Sequence, residues 1–391
     1  MTTIAPEKLL DRERSANDSV LAAALFVAAG TGMAVLWSAS TGYAISLGRP
    51  SWWFAARQAV FWLPAGGLFA LTVFLPMEAV RRRIGAITIA GLALLALTFV
   101  PGIGEYRNGA ARWINLGFTT LQPSEFWKPI AVIYLAHVID RRRPGSGDER
   151  PAASLVGPFL LVAFGSLVVY LQNDFSTAAI AMVGAAAVFW VGGAPVGAFA
   201  GISLAGGALG ALMVLTSDFR LRRILAFLFP AYEPHGQSYQ ILSSLRAIRE
   251  GGWLGKGFGL GTLKIGSIPE VQSDFIFASF SEEVGFVGVL LFFALWAVVA
   301  WRAFANSMRE EDHFRSLLGF GLGFLVVLEV LINTAVAAGV VPATGIALPF
   351  FSAGGSSLMA NAAVGGLLVN LGRERRPKSD QSLDLSERGR D

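Results

Sequence analysis

Ten runs of apolar residues, at 19–38, 55–75, 84–101, 124–139, 155–171, 175–192, 196–216, 280–303, 317–340 and 346–371, recur along a chain of 391 residues. Each is close to the roughly 17 to 25 residues that an α-helix needs to cross a bilayer. Inside hydrocarbon every backbone polar group must find its partner within the span, which makes each run a helix. The chain is 54% hydrophobic and only 15% charged, with a mean hydropathy of +0.57. A water-soluble fold of this size does not tolerate those values. The expected fold is therefore all-α: a polytopic integral membrane protein with about ten transmembrane helices.

The polar segments between the runs carry the orientation. Lys8, Arg12 and Arg14 precede the first run, Arg81, Arg82 and Arg83 follow the second, and Arg141, Arg142 and Arg143 follow the fourth. Arg302, Arg309 and Arg315 flank the end of the eighth, and "RERRPK" follows the tenth. An even number of spans puts all these clusters on one side, which the positive-inside rule makes cytoplasmic, with both termini. The formal charge of +4 and pI near 9.6 thus encode topology, not a nucleic-acid partner. No small-residue cleavage site follows the first run, so it reads as a retained helix. The expected organisation is a cytoplasmic segment at 1–18, a membrane domain at 19–372 and a disordered polar tail at 373–391.

The same orientation exposes three segments on the outer face: 102–123, "QND" at 172–174, and a long loop at 217–279. A loop that long in a compact domain carries function more often than connection. Within it, "SYQILSSLRAIREGG" places Ile241, Leu242, Leu245 and Ile248 on one helical face, the pattern of a helix lying in the interface. "GGWLGKGFGLGT" lacks the Walker spacing and its strand–turn–helix context, and reads as a flexible turn. Cysteine is absent, which excludes disulfides and thiolate chemistry, and three scattered histidines form no zinc spacing. Any metal would be hard and oxygen-bound.

Polar residues inside apolar runs narrow the function. Glu125 and Lys128, three apart in "QPSEFWKPIAVIYLAHVID", share one helix face and can neutralise each other or wall a wet cavity. Asn173 and Asp174 fit a turn as well as a site. Glu329 and Asn333, one turn apart, fit hydrogen bonds between helices. Pro342, Pro349, Gly354, Gly355, Ser356 and Ser357 interrupt the last two runs, and irregular backbone at this depth must be buried in protein or line a cavity. "IPEVQSDFIFASFSEEVGFVG" sets Glu270, Asp274, Glu282 and Glu283 against the eighth run, where carboxylates need a partner or water.

Taken in order, "NGAARWINLGFTTLQPSEFWK", "QNDFSTA", "YQILSSLRAIREGGWLGKGFGLGTLKIGSIPEVQSDFIFASFSEEVGFVG" and "NTAVAAGVVPATGIALPFFSAGGSS" resemble the SEDS family of bacterial shape, elongation, division and sporulation proteins. The family pattern usually shows HTDF, QPDFGTA and SYGGSS where this chain has QSDF, QNDFSTA and SAGGSS. "NGAARWINLG" and "SIPEVQSDFIFA" lean toward the division-type FtsW branch and "GKGFGLGT" toward RodA, with FtsW slightly favoured. The resemblance implies a peptidoglycan glycosyltransferase that polymerises lipid II, a disaccharide-peptide on undecaprenyl pyrophosphate, at the outer face of the bacterial cytoplasmic membrane. It also implies a class B penicillin-binding protein as partner, within the divisome or elongasome, and no nucleic acid.

An α-linked donor and a β-1,4 product call for one inverting displacement. Asp274, wet enough at the outer mouth of the eighth helix to be ionised, is the candidate base and matches the family's essential aspartate. Arg112, Lys128, Arg246 and Lys264 are the candidate cations for pyrophosphate, with a divalent ion, magnesium or manganese, as the alternative. Glu125, Gln122, Glu270 and Ser356 complete the candidate substrate-binding residues. Glu270, Glu282 and Glu283 also suit a role in orienting the loop or capping the helix start. A flippase for lipid-linked precursors is the competing function, although it would need polar residues along a full path.

Overall fold

The computed structural model describes residues 6–107, 109–117, 119–142, 155–229, 237–262, 264 and 271–373. Among them run twelve helices: α1 (Pro6–Ser46), α2 (Trp53–Phe74), α3 (Met77–Leu97), α4 (Pro123–Arg142), α5 (Val156–Leu171), α6 (Phe175–Val191), α7 (Val196–Leu215), α8 (Asp218–Leu228), α9 (Gln237–Gly251), α10 (Ile276–Arg309), α11 (His313–Ala337) and α12 (Gly355–Leu371). Ten coincide with the apolar runs, and α8 and α9 occupy the loop after α7. α1, the α2, α7, α10 and α11 spans are long and apolar enough to cross a bilayer alone, and α5, α6 and α12 are shorter apolar helices. The expected tail beyond Arg373 and the loop residues 265–270, including Glu270, lie outside the described residues.

Helix polarity decides helix position. α4 carries Glu125 and Lys128 in its first turns and is nonetheless largely enclosed: Trp127, Ala131, Val132 and Ala136 are fully buried. It packs on α3, α6 and α11. α7, uniformly apolar, has no buried residue and touches only its chain neighbours α6 and α8 closely. Lipid solvates apolar side chains as well as protein does, so the polar helix goes inside and the greasy one outside. Close approach follows from small residues: the Trp127 ring occupies the space a Cβ on Gly165 would take, and its Nε1 donates to Ser166 Oγ at 3.3 Å.

Three features depart from the expected pattern. A small antiparallel sheet, β1 (Gly104–Arg107), β2 (Ala110–Asn115) and β3 (Thr120–Leu121), folds between α3 and α4 and puts Arg112 on its middle strand. The tenth span begins at Gly355, not at 346, because residues 338–354 are irregular. That stretch is held by protein, as depth in a membrane requires: Ser352 Oγ donates to the Ser273 carbonyl at 2.6 Å, Ala353 N to Gln272 O at 2.8 Å, and Asn333 Nδ2 to Ile346 O at 2.7 Å. Finally, α10 breaks at Gly285, whose φ of 65° is left-handed.

The break is stitched by the glycine-rich segment after α9. Lys256 N and Gly257 N donate to the carbonyls of Glu282 and Glu283 at 3.0 Å, and Phe286 N and Val287 N donate to the carbonyls of Gly252 and Trp253 at 2.9 and 3.1 Å. Four backbone groups freed by the kink are thereby satisfied. The contact is so close that a Cβ on Gly255 would overlap the Glu283 carbonyl. The segment read from sequence as a flexible turn is a backbone-paired splint.

Candidate functional site

Asp274 sits half-buried in the turn just before α10. Its backbone carbonyl accepts from Asn333 Nδ2 of α11 at 3.3 Å, and its Oδ2 lies 3.6 Å from the position a Cβ would take on Gly345. The turn is thus pinned by α11 and by the irregular 338–354 stretch. Alternation of the spans puts the starts of α4, α6, α10 and α12 at this same end, so the polar residues of those turns gather at one mouth.

Beneath the mouth lies a polar column. Ser356 Oγ accepts from Gln122 N at 2.8 Å, and Gln122 Nε2 donates to Asp174 Oδ2 at 3.0 Å. Asp174 also accepts from Ser124 Oγ at 3.3 Å while it caps α6 through Thr177 N at 3.4 Å. One turn deeper, Lys128 Nζ donates to Glu125 Oε2 at 2.9 Å and also to Glu329 of α11. Asn361 of α12 donates to Glu329 Oε2 at 3.3 Å. Gln122, Glu125, Lys128 and Ser356, proposed from sequence, are therefore brought together. Glu329 is bonded across helices as expected, but to Lys128 and Asn361, while Asn333 turns to the Asp274 loop. Two carboxylates share one ammonium, so Glu125 and Lys128 are not a self-contained neutral pair.

The other candidates divide. Arg112 on β2 donates Nε to Gln172 O at 3.4 Å and Nη2 to Asn173 O, in the α5–α6 turn at the same mouth. Lys264 is buried and tied to Glu283 Oε1 at 2.6 Å, Ser38 Oγ at 2.7 Å and Gly259 O at 3.0 Å, which uses all three of its protons. Glu282 accepts from Lys256 Nζ at 2.7 Å and Thr262 N at 2.8 Å. These two acids hold the glycine-rich splint, the loop-orienting role, but two turns inside α10 and not at its start. Arg246 is exposed on α9 and pairs with Glu250 at 2.7 Å. Hydrogen bonds from Lys256 and Arg246 hold the Glu250 carboxyl below its usual value, and bonds to Glu250 and Glu282 raise Lys256.

Sequence reasoning passed over α8. Its Arg220 donates to Tyr170 Oη and Met213 O, each at 3.0 Å, and Arg223 donates to Ala343 O at 3.2 Å. Burial lowers the Arg223 pKa; Asp274 opposes that shift, and Arg112 and Arg220 add to it. Arginine stays charged through such a change. The signal was available: "DFRLRRILAFL" is a basic amphipathic helix, and its arginines lie on the side that positive-inside logic leaves poor in them. Among the described residues no three His, Cys, Asp or Glu side chains come together as a metal-binding group.

Fold and site together define a polytopic membrane protein with an acid and several arginines at one mouth of the bundle, above a buried polar column. The family described as "Cell cycle protein", that of FtsW, RodA and SpoVE, matches residues 18–377, and the chain belongs to it. It is 36% identical over 346 residues to the probable peptidoglycan glycosyltransferase FtsW of Halorhodospira halophila, covering 88% of this chain and 87% of that one. It is 34% identical over 353 residues to the stage V sporulation protein E of Bacillus subtilis, covering 88% and 94%. Among solved structures, the RodA of Thermus thermophilus superposes with a TM-score of 0.65 at 27% identity, covering 91% of this chain and 97% of that one. A chain from a structure described as coordinating polymerization and crosslinking in a peptidoglycan synthase complex gives 0.72 at 27% identity, covering 90% and 96%.

Proposed function

We propose that this protein is a peptidoglycan glycosyltransferase of the FtsW type, which polymerises lipid II at the outer face of the bacterial cytoplasmic membrane. The observation that carries the mechanism is the position of Asp274, held by its backbone at the mouth beside the stretch that Arg223 reaches. The acceptor sugar's hydroxyl oxygen attacks C1 of the donor sugar. The bond from C1 to the pyrophosphate oxygen breaks, and the lipid pyrophosphate leaves with that electron pair. The hydroxyl proton passes to the Asp274 carboxylate. Attack opposite the leaving group inverts the anomeric carbon, as an α donor and a β product require.

Partnership with a transpeptidase of the class B penicillin-binding type fits the likeness to a synthase complex that couples polymerization and crosslinking. A cavity of about 550 Å³ between α9, α10 and α11, with Phe286 and Leu331 exposed on its rim, offers a seat for a single transmembrane helix. A flippase reading meets an obstacle at the opposite end of the bundle. There Arg81 joins Asp140 at 3.1 Å and Asp312 at 2.9 Å, tying α3, α4 and the α10–α11 connection together.

Purified full-length protein, reconstituted with lipid II and its transpeptidase, tests the assignment. Glycan polymer is expected without any other polymerase. Movement of lipid II across the bilayer with no polymer would replace the assignment by the flippase.

A further inference from the structure

The depth of the glycine-rich splint in the membrane follows from the helix it grips. Trp301 of α10 is exposed, and the Arg302 guanidinium lies 4.6 Å over its ring, an aromatic and a cation together as at a membrane–water boundary. From there α10 runs unbroken back to the kink at Gly285. At about 1.5 Å per residue, Val287 stands about 21 Å and Gly285 about 24 Å from Trp301 along the helix, and the hydrocarbon layer is about 30 Å thick. Val287 N donates to Trp253 O at 3.1 Å, and the Trp253 and Phe286 rings meet edge to face with centroids 5.2 Å apart. Trp253 is therefore level with Val287, short of the far boundary. α9 leads down to it: Ser244 Oγ donates to the Ala337 carbonyl at the end of α11 at 2.6 Å, and Gly251 packs against the Ser281 carbonyl.

The polar groups of the segment are satisfied as a site without water requires. The N–H groups of Gly252, Gly255, Lys256 and Gly257 donate to backbone carbonyls, and those of Gly259 and Thr262 donate to the carboxylates of Glu283 and Glu282. Lys256 Nζ donates to Glu250, Thr262 and Glu282, and Lys264 Nζ to Glu283, Ser38 and Gly259 O. Each ammonium thus has three acceptors inside the protein for its three protons, and each faces a carboxylate, as ionisable groups at membrane depth do. The apolar side chains point the other way. Trp253, Leu254, Phe258 and Leu260 are 74%, 79%, 58% and 66% exposed. Through Phe286 they continue the exposed face of α10 at Val287, Leu290 and Leu291. A cavity of about 360 Å³ between α1 and the segment has Trp37, Ile45 and Phe258 among its walls.

We infer that residues 252–260 form a re-entrant membrane segment whose Trp253, Leu254, Phe258 and Leu260 side chains are solvated by the hydrocarbon chains of the lipid leaflet on the mouth side. The partner of this surface is lipid, because the segment is bonded to α10 at a level the bilayer occupies and extends a face of α10 that already meets lipid. α9 enters, the glycines turn, and the chain returns along Glu282 and Glu283. The inference rests on the membrane-spanning fold and not on the glycosyltransferase reading.

The chain has no cysteine, so single cysteines can be placed without altering any native thiol. Leu254→Cys and Phe258→Cys, spin-labelled and reconstituted as full-length protein in phosphatidylethanolamine–phosphatidylglycerol nanodiscs without any partner, are read by collision with molecular oxygen and with a water-soluble nickel chelate. Leu290→Cys on the lipid face of α10 supplies the hydrocarbon value, and Arg107→Cys on β1 supplies the water value. The labels at 254 and 258 should match Leu290→Cys, with an oxygen-to-chelate ratio several-fold above that of Arg107→Cys. Unlabelled Leu254→Cys should also react several-fold more slowly than Arg107→Cys with a charged, membrane-impermeant thiol reagent, which reads the same depth without a bulky label. Chelate access equal to that of Arg107→Cys at both positions would put the segment in water and overturn the inference. Water-like values that become shielded only when a transpeptidase is added would give the surface to a protein partner and overturn it as well.

Discussion

The Asp274 backbone carbonyl accepts from Asn333 Nδ2 of α11, which helps to hold the turn. Asp274→Asn keeps volume and removes only the ability to take a proton. Polymerisation should fall about 10² to 10⁴-fold, with expression and membrane insertion unchanged; a variant that makes polymer at more than a tenth of the normal rate removes Asp274 from the role of base. The buried triad gives a graded outcome at the same scale. Glu125→Gln leaves Lys128 paired with Glu329, so the protein should fold and lose activity only through the altered mouth. Lys128→Met orphans two buried carboxylates, and breaking such a pair costs about 3–5 kcal/mol. Yield and thermal stability in detergent should separate the two variants, and equal melting temperatures would show that Lys128 does not neutralise both acids.

At the level of elements, the kink in α10 and its splint form one unit. Straight helix would leave no use for the 252–257 segment, and the segment alone has no regular structure to hold it. Gly255 sits at φ 78° with no room for a Cβ beside the Glu283 carbonyl. Gly255→Val should therefore combine a conformational penalty of about 1–3 kcal/mol with separation of the splint from the kink. Protease nicking after α9 should accelerate and polymer yield should drop, whereas Gly259→Ala, whose φ of 82° carries the same conformational penalty but whose Cβ position is open, should behave more mildly. Similar nicking rates for both would mean that the splint does not depend on this approach. The splint's ion pairs reinforce it: Lys264 with Glu283, buried, and Lys256 with Glu282.

For the whole molecule, the two ends of the bundle differ in kind. One end is tied by Arg81, Asp140 and Asp312; the other is a mouth built from turns, a small sheet and two short helices. α7, which buries no residue, stands beside that mouth as the least committed span. On the proposed function, a transpeptidase partner is expected to contact α9 and the α10–α11 groove. Photo-crosslinkers placed at Leu331 and at Arg249 should both capture the transpeptidase in cells; capture from a position on the outward face of α7 such as Leu204, and from neither of these, would move the interface elsewhere.

The apolar runs and arginine clusters by themselves determined an all-α membrane bundle with ten spans, because hydrocarbon leaves a backbone no alternative and charge cannot be hidden in it. Asp274 and the pair of Glu125 with Lys128 were legible for the same reason: each breaks a rule that its surroundings obey. Glu329 as the third member, the locking of Lys264 on Glu283, the sheet carrying Arg112 and the approach of Arg223 to Asp274 were decided by tertiary structure. These contacts join residues distant in the chain, such as 128 with 329 or 38 with 264. Periodicity reports which face of a helix is polar, but not which other helix that face will meet; that depends on packing, where the small residues let α4 sit at the centre and the apolar helices close around it.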